Sequence, residues 1–196
     1  MTTAEWDARY AASDSVWGAA PNRFVEQETA ALPAGRALDL ACGEGRNAVW
    51  LAGRGWDVTA VDFSQVAIDK ARAHAEGPPV TWVCDDVVTW TPAAEAFDLV
   101  MIVYLHLPTE ARAQVLEHAA AAVAPGGHLL LVAHDLANLT GGHGGPQDAS
   151  VLPTADDVVP HLAGFDVLTA GVVERPVDGA PRPALDLLVH AVRPTV

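Results

Sequence analysis

Residues 37–47 read Ala-Leu-Asp-Leu-Ala-Cys-Gly-Glu-Gly-Arg-Asn: a short apolar strand, a turn with two glycines and the start of a helix. Glycine reaches backbone angles closed to other residues and lets a ligand approach the main chain. The turn therefore leaves room beside Gly43 and Gly45. The first amide groups of the next helix, about Arg46 to Leu51, have no intrahelical partners, so a polar or anionic group can bind there. This order of parts predicts a pocket for a nucleotide-type cofactor.

Asp39 narrows the choice of cofactor. Its carboxylate lies at the end of the predicted buried strand, four residues before the first glycine. In that position it repels phosphate and attracts an ammonium group. The pattern predicts a cofactor that carries a cationic amine near this strand end.

Acidic residues also follow the next two predicted strands. The second strand ends on Asp62, about twenty positions after the glycine turn, where a carboxylate can accept both ribose hydroxyls. Phe63 can cover an adenine face, and Ser64 suits the N-cap of the following helix. The third strand ends on Asp85-Asp86, and either carboxylate could accept the adenine exocyclic amine.

Length and apolar content indicate one α/β domain. The chain has 196 residues, 51% of them hydrophobic, which is enough for a sheet covered on both faces. Unbroken apolar runs at 99–103 and 128–133 are typical of central parallel strands. A helical stretch at 109–123 ends at Pro125-Gly126-Gly127. The alternation of strands and helices predicts a doubly wound sheet.

The C-terminal region predicts a reversed strand. A loop over 138–150 is expected to form a mobile flap, followed by a helix near 154–162. Strands near 165–174 and 183–192 have a short connection with three prolines and a glycine between 176 and 183, which favours an antiparallel pair. We expect a Rossmann-like, doubly wound, seven-stranded sheet, mostly parallel with an antiparallel C-terminal strand.

Charge and cysteine content exclude several classes of protein. With 25 acidic and 11 basic residues the net charge is −14, so the chain has little means of neutralising a nucleic-acid backbone.

Cys42 and Cys84 are expected to pack as small apolar residues at strand ends rather than to form a disulfide. No signal pattern or membrane-length apolar run is evident, which predicts a cytoplasmic protein without membrane contact.

The chain resembles the class I S-adenosylmethionine-dependent methyltransferases, specifically the small bacterial branch related to tellurite-resistance methyltransferases. The resemblance covers nearly the whole chain. Besides the glycine motif it rests on Trp6-Asp7-Ala8-Arg9-Tyr10, Val16-Trp17-Gly18, Pro21-Asn22, Phe97-Asp98-Leu99-Val100, Tyr104-Leu105-His106-Leu107-Pro108, Pro125-Gly126-Gly127 and Gly144-Gly145-Pro146-Gln147-Asp148.

The resemblance implies that S-adenosylmethionine is the cofactor and S-adenosylhomocysteine the product. It places the methionine end at Asp39 and the glycines, the ribose at Asp62, and adenine at one of Asp85 and Asp86, with Asp86 favoured. The candidate cofactor contacts are Asp39, Ala41, Gly43, Gly45, Arg46, Asn47, Asp62, Phe63, Ser64, Asp85, Asp86, Val87, Val103, Tyr10 and Trp17.

The acceptor side of the pocket is expected just after the fourth and fifth strands. Methyl transfer from a sulfonium depends on positioning and desolvation of an in-line nucleophile. We expect Tyr104, His106 and His134 to form the catalytic group, with His106 orienting or deprotonating a small-molecule acceptor. The spacing of His134-Asp135 and His143 matches no metal-ligand motif, so no metal is expected.

Residues 1–32 carry Trp6, Tyr10, Trp17 and Phe24, a high density of aromatic rings. The rings either dock a helix on the sheet or close over the cofactor as a lid. The resemblance favours the lid. It implies a single domain at 1–196, in which residues 1–32 form the lid segment and residues 36–196 form the Rossmann-like core.

Two other functions remain open at this point. Residues 43–48 also satisfy the dinucleotide pattern, with alanine as the third small residue, so a nicotinamide-dependent oxidoreductase is one alternative. A non-catalytic S-adenosylmethionine-binding module is the other. The sequence determines neither the methyl acceptor nor the oligomeric state.

Overall fold

The computed structural model describes residues 2–75 and 77–195, and these form one seven-stranded sheet flanked by helices. The strands are β1 (Arg36–Leu40), β2 (Asp57–Asp62), β3 (Thr81–Cys84), β4 (Phe97–Val103), β5 (Val123–His134), β6 (Asp166–Arg175) and β7 (Ala184–Val192). The helices are α1 (Thr3–Ala11), α2 (Arg23–Thr29), α3 (Arg46–Ala52), α4 (Gln65–His74), α5 (Thr109–Ala122), α6 (Asn138–Gly141) and α7 (Ala155–Val158).

The strand order is β3-β2-β1-β4-β5-β7-β6. Strand β7 runs antiparallel to both β5 and β6, and the other neighbouring strands pair in parallel. This confirms the predicted sheet. The order reverses between β1 and β4, and such a reversal opens a crevice at the carboxyl ends of the strands.

Successive side chains of β1 point to opposite faces of the sheet, and this determines the layer into which each of them packs. Leu38 and Leu40 pack with α5 on one face of the sheet, whereas Ala37 packs with α2, α3 and α4 on the other. Because side chains alternate along a strand, Asp39 shares the face of Ala37. A carboxylate is thereby placed in the apolar layer beneath α3.

The predicted secondary structure was wrong in detail at three places. The helix at 154–162 is a short α-helix followed by a 3₁₀ turn over Val159–Leu162, since Pro160 has no amide proton to continue it. The segment expected as a loop over 138–150 begins with α6 and runs into a 3₁₀ turn at Ala149–Val151, while its mobility as a flap stays a prediction. Helix α5 ends at Ala122, because Val123 already pairs with Phe97 in the sheet.

Both cysteines are free, as predicted, but only Cys42 is buried. Cys84 is exposed, because β3 lies at the edge of the sheet. Within the described part of the chain, no helix combines the length and apolar character needed to cross a bilayer.

Candidate active site

The glycine turn is fastened to the end of β2 by Asp62. Gly43 and Gly45 have positive φ angles of 56° and 76°. The Gly43 amide donates to Asp62 Oδ2 at 2.8 Å, and the Ser64 amide donates to Oδ1 at 2.9 Å. Ser64 caps α4 as predicted, since its hydroxyl accepts from the Ala67 amide. The Asp62 carboxylate therefore lies at the turn, with one oxygen bound to each of these two amides.

Asp39 is a buried carboxylate without a partner. Its residue is 1% exposed, and neither side-chain oxygen has a hydrogen-bond partner in the described part of the chain. Burial raises the pKa of Asp39 to about 7 and the negative charge of Asp62 adds to the rise, whereas the positive charge of Arg46 and the nearby backbone amide of Ala48 oppose it. An uncompensated buried carboxylate is costly, so the site fits a ligand that brings a cation.

Two residues at adjacent strand ends adopt the left-handed conformation. Ala41 follows β1 with φ 59°, and Tyr104 follows β4 with φ 58°. Neither is glycine, and such strain is maintained where the surrounding structure imposes it, often at a functional site. Both bends lie at the crevice, on either side of the point where the strand order reverses.

The N-terminal segment lies over the glycine turn. Tyr10 is 4% exposed, and a Cβ atom added to Gly43 would lie 2.8 Å from the Tyr10 hydroxyl oxygen. Arg46 donates to the Trp17 carbonyl at 3.2 Å. The Arg9 guanidinium lies 4.9 Å from the ring centre of Trp17. The segment has the position of the predicted lid.

Lys70 holds this segment in place. Its ammonium group donates to the carbonyls of Tyr10 and Ser13 at 2.9 and 2.6 Å and lies 2.6 Å from Glu44 Oε1. Glu44 Oε2 accepts from the Val16 amide at 2.8 Å. Glu44 belongs to the glycine turn, so one ion pair joins the turn, helix α4 and the N-terminal segment.

The other predicted cofactor residues surround the crevice in different ways. Asn47 is buried, and its Oδ1 accepts from the Asn22 amide at 2.8 Å, so this side chain is occupied by the N-terminal segment. Asp85 and Asp86 are exposed at the end of β3, and each uses Oδ1 to accept a nearby amide. The half-buried residues Phe63 and Val103 and the buried Val87 complete the set.

Tyr104, His106 and His134 meet at the ends of β4 and β5. Their ring centres are separated by 5.1 Å for Tyr104 and His134, 5.5 Å for the two histidines and 6.2 Å for Tyr104 and His106. The structure thus brings together all three residues of the predicted catalytic group.

His106 is a neutral imidazole that already accepts a hydrogen bond. The His134 amide donates to His106 Nε2 at 3.1 Å. Burial lowers the pKa of His106 to about 4, and the neighbouring His134 contributes to the decrease. Of the two roles considered for His106, this geometry supports orientation more than proton removal.

Two members of this polar group were missed from the sequence. Asp186 is fully buried on β7, and its Oδ2 accepts from the Tyr104 hydroxyl and from Arg175 Nε, each at 2.7 Å. Asp186 Oδ1 lies 3.0 Å from His134 Nδ1. Burial raises the pKa of Asp186, but the interactions with His134, Tyr104 and Arg175 outweigh it and leave the pKa below its ordinary value.

One sequence signal could have revealed Asp186. It is the only charged residue in the apolar run Ala184–Val192, and a charge in a buried strand requires a partner. The partner follows from strand pairing, since His134 on β5 lies opposite Asp186 on β7.

The segment after β5 covers His134. A Cβ atom at Gly145 would lie 2.7 Å from the His134 ring, so glycine permits the close contact. Asn138 anchors the segment, donating to the Gly144 carbonyl and accepting from the Leu185 amide, both at 2.8 Å. Asp135, the next residue after His134, is buried and accepts from the Ala137 amide.

Residues 37–127 match the protein family described as "Methyltransferase domain". Ubiquinone biosynthesis O-methyltransferase of Coxiella burnetii is 34% identical over 111 residues, which are 55% of this chain and 46% of that protein. Probable thiol methyltransferase 2 of Arabidopsis thaliana is 26% identical over 192 residues, which are 93% of this chain and 82% of that protein. The chain thus spans about half the length of the first of these relatives.

Solved structures share the fold. One is described as "Conversion of a Disulfide Bond into a Thioacetal Group during Echinomycin Biosynthesis" and has a TM-score of 0.76 and 24% identity. The match covers 98% of this chain and 93% of that chain. TehB from Haemophilus influenzae has a TM-score of 0.72 and 18% identity, and the match covers 96% of this chain and 67% of TehB.

A doubly wound sheet with a reversed last strand and the buried, unpartnered carboxylate of Asp39 beside its glycine turn suit an amine-bearing nucleoside. Residues 37–127 match a methyltransferase domain, and the sheet has the fold of the class I S-adenosylmethionine-dependent methyltransferases. The comparisons give no support to the nicotinamide-dependent alternative or to a non-catalytic module.

Proposed function

We propose that this protein transfers the methyl group of S-adenosylmethionine to a sulfur atom of a small molecule. The observation that carries the cofactor half of the proposal is Asp39. Its two buried, unpartnered oxygens match the ammonium group of the methionine end, which a phosphate-based dinucleotide lacks at that position.

The rest of the glycine turn and its surroundings provide the other contacts. We expect Arg46 to bind the methionine carboxylate, Asp62 the ribose hydroxyls, and Asp86 or its neighbour Asp85 the adenine amine. The cofactor supplies a methyl group on a positively charged sulfur, which already activates the leaving group. The pocket is lined by Ala41, Gly43, Gly45 and Val103, and its backbone is supported by Asn47 and Ser64. The adenine base is flanked by Phe63 and Val87, and the pocket is covered by Tyr10 and Trp17.

A sulfur acceptor is supported by two of the comparisons and by the chemistry of the site. The Arabidopsis relative is named for thiols, and the echinomycin structure is named for chemistry at a disulfide. Above the crevice, Tyr104 and His106 offer polarisable rings, and Arg175 is neutralised by Asp186. Such a site suits a small, polarisable acceptor.

We also propose that the acceptor is neither a nucleic acid nor part of a membrane and that the protein acts in the cytoplasm as a single domain. A net charge of −14 leaves little attraction for a phosphate backbone. Arg175 and Arg46 near the crevice are both close to carboxylates, so they do not form a basic surface.

Turnover with a panel of acceptors tests this proposal. The purified protein is incubated with S-adenosylmethionine and, separately, with an aliphatic thiol, an aryl thiol, a catechol or thiocyanate, and the methylated product is identified by mass spectrometry. We expect methylation of at least one sulfur compound. Methylation of the catechol alone would show that the accepting atom is oxygen and not sulfur. Cofactor binding with no turnover of any acceptor would favour a binding module.

A further inference from the structure

The sequence interpretation assigned no role to Asp186 or Arg175, yet they organise the acceptor end of the crevice. Asp186 is fully buried and receives hydrogen bonds at 2.7 Å from Tyr104 and Arg175 through one oxygen. Arg175 also donates to the Tyr104 hydroxyl oxygen at 2.9 Å. The arginine thereby compensates the buried carboxylate, so Asp186 stays ionised without solvent.

The second oxygen of Asp186 faces His134. Oδ1 and His134 Nδ1 are 3.0 Å apart, and both atoms are closed to solvent. They are not aligned as a full hydrogen bond, but neither has another partner in the described part of the chain. A carboxylate beside Nδ1 favours the tautomer that carries its proton there.

This tautomer leaves the lone pair of His134 Nε2 free. No hydrogen bond among the described residues occupies Nε2, and the His134 side chain retains 13% exposure. His106 differs, because its Nε2 accepts from the His134 amide. Of the two imidazoles, therefore, His134 has the available basic nitrogen.

We propose that His134 removes the proton of a neutral thiol acceptor, with Asp186 and Arg175 as positioning residues that fix its tautomer and orientation. This inference rests on the proposed methyl transfer to sulfur and names the base and the protonation state of the acceptor. An ordinary thiol has a pKa of about 8.5, so most of it is protonated at neutral pH and must lose a proton to become a strong nucleophile.

The step balances in atoms and charge. The acceptor sulfur forms the new bond to the methyl carbon, the electron pair of the broken bond stays on the departing sulfur, and the thiol proton goes to His134 Nε2. One positive charge is lost at the sulfonium and one appears on the imidazolium, beside the Asp186 carboxylate. The site thus keeps its total charge, and the proton later leaves to solvent.

Nitrogen-15 NMR of the cofactor-free protein tests the tautomer directly. We expect His134 to be protonated at Nδ1 in the wild-type protein and at Nε2 in Asp186→Asn, since an amide NH₂ beside Nδ1 donates where the carboxylate accepted. Asp166→Asn, an exposed carboxylate at the opposite end of β6, is the matched control and should leave the signal unchanged. A wild-type His134 protonated at Nε2 would overturn the proposal whether or not any variant folds.

Kinetics with two sulfur acceptors supply the second test. Thiocyanate carries no proton, so it needs no base, whereas an aliphatic thiol does. In Asp186→Asn the ratio of thiol to thiocyanate kcat/KM should fall by about 100-fold at pH 7 and recover as the pH approaches the thiol's own pKa. Tyr104→Phe, which removes one donor to Asp186, should lower the ratio by less.

The outcomes separate this inference from the proposed function. An equal loss for both acceptors at every pH would assign Asp186 a structural role and contradict the inference. An unchanged ratio in a folded variant would also contradict it. If the wild-type protein methylates no sulfur acceptor, the proposed function fails, while the NMR result still decides the tautomer.

Discussion

Lys70 Nζ lies 2.6 Å from Glu44 Oε1, and this ion pair joins helix α4 to the glycine turn. Both side chains are largely buried, with exposures of 19% for Lys70 and 11% for Glu44. The same two groups bind the backbone of Tyr10, Ser13 and Val16. The pair therefore holds the N-terminal segment over the crevice.

Replacing Lys70 should release that segment. We expect Lys70→Met to increase amide hydrogen exchange over residues 5–18 and to weaken S-adenosylmethionine binding by about 10-fold, since losing charge-assisted hydrogen bonds costs about 1.5–3 kcal/mol. Arg72→Met on the same helix is the control, since it removes an exposed pair with Asp69 and an exposed hydrogen bond to the Trp82 carbonyl but no contact with the N-terminal segment. Equal exchange in both variants would show that Lys70 does not hold the N-terminal segment.

Gly45 is expected to tolerate no side chain. A Cβ atom there would lie 2.6 Å from Trp82 Cζ3, and the φ angle is +76°. Gly18 has a similar φ of +74° with nothing within 4 Å, so Gly18→Ala isolates the cost of the left-handed backbone. Urea unfolding should find Gly45→Ala less stable than Gly18→Ala by about 1–3 kcal/mol. Equal losses would mean that Trp82 moves aside freely.

Asp39 should make the cofactor-free protein less stable as the pH rises. Its pKa is about 7 in the folded protein, and about 3.9 is ordinary for an unfolded chain. Between these values the folded state binds more protons, so its stability falls from about pH 4 to pH 7.

Asp39→Asn removes this titration and should be more stable than the wild-type protein at pH 8. The stability difference between the two proteins should grow by about 2–3 kcal/mol from pH 5 to pH 8. Urea unfolding of both proteins without cofactor measures it. A difference that does not change with pH would place the Asp39 pKa near its ordinary value.

The cofactor half of the site could be predicted because its parts are close in sequence. Strand, glycine turn and helix follow one another, so Asp39 and Gly43 occupy one end of a local unit, and Asp62 ends the adjacent parallel strand. Parallel strands align their carboxyl ends, which places such residues together without knowledge of the exact register.

The acceptor half required information that local patterns do not contain. Asp186 meets His134 only through the antiparallel register of β5 and β7, and a shift of one residue would direct its side chain to the other face. The left-handed backbone at Tyr104 gave no signal either, because that conformation is imposed by the surrounding packing. The sequence identified the residues at the ends of β4 and β5 but not the carboxylate that connects them.

Calorimetric titration tests the central claim, that Asp39 binds the ammonium group of S-adenosylmethionine. The wild-type protein should release heat with both S-adenosylmethionine and S-adenosylhomocysteine, with affinity that weakens about tenfold per pH unit below pH 7 as Asp39 takes up its proton. Asp39→Asn should bind both at least about 30-fold more weakly, since it leaves the ammonium group without its charge partner. No heat with either compound, or equal affinity in the variant, would contradict the account.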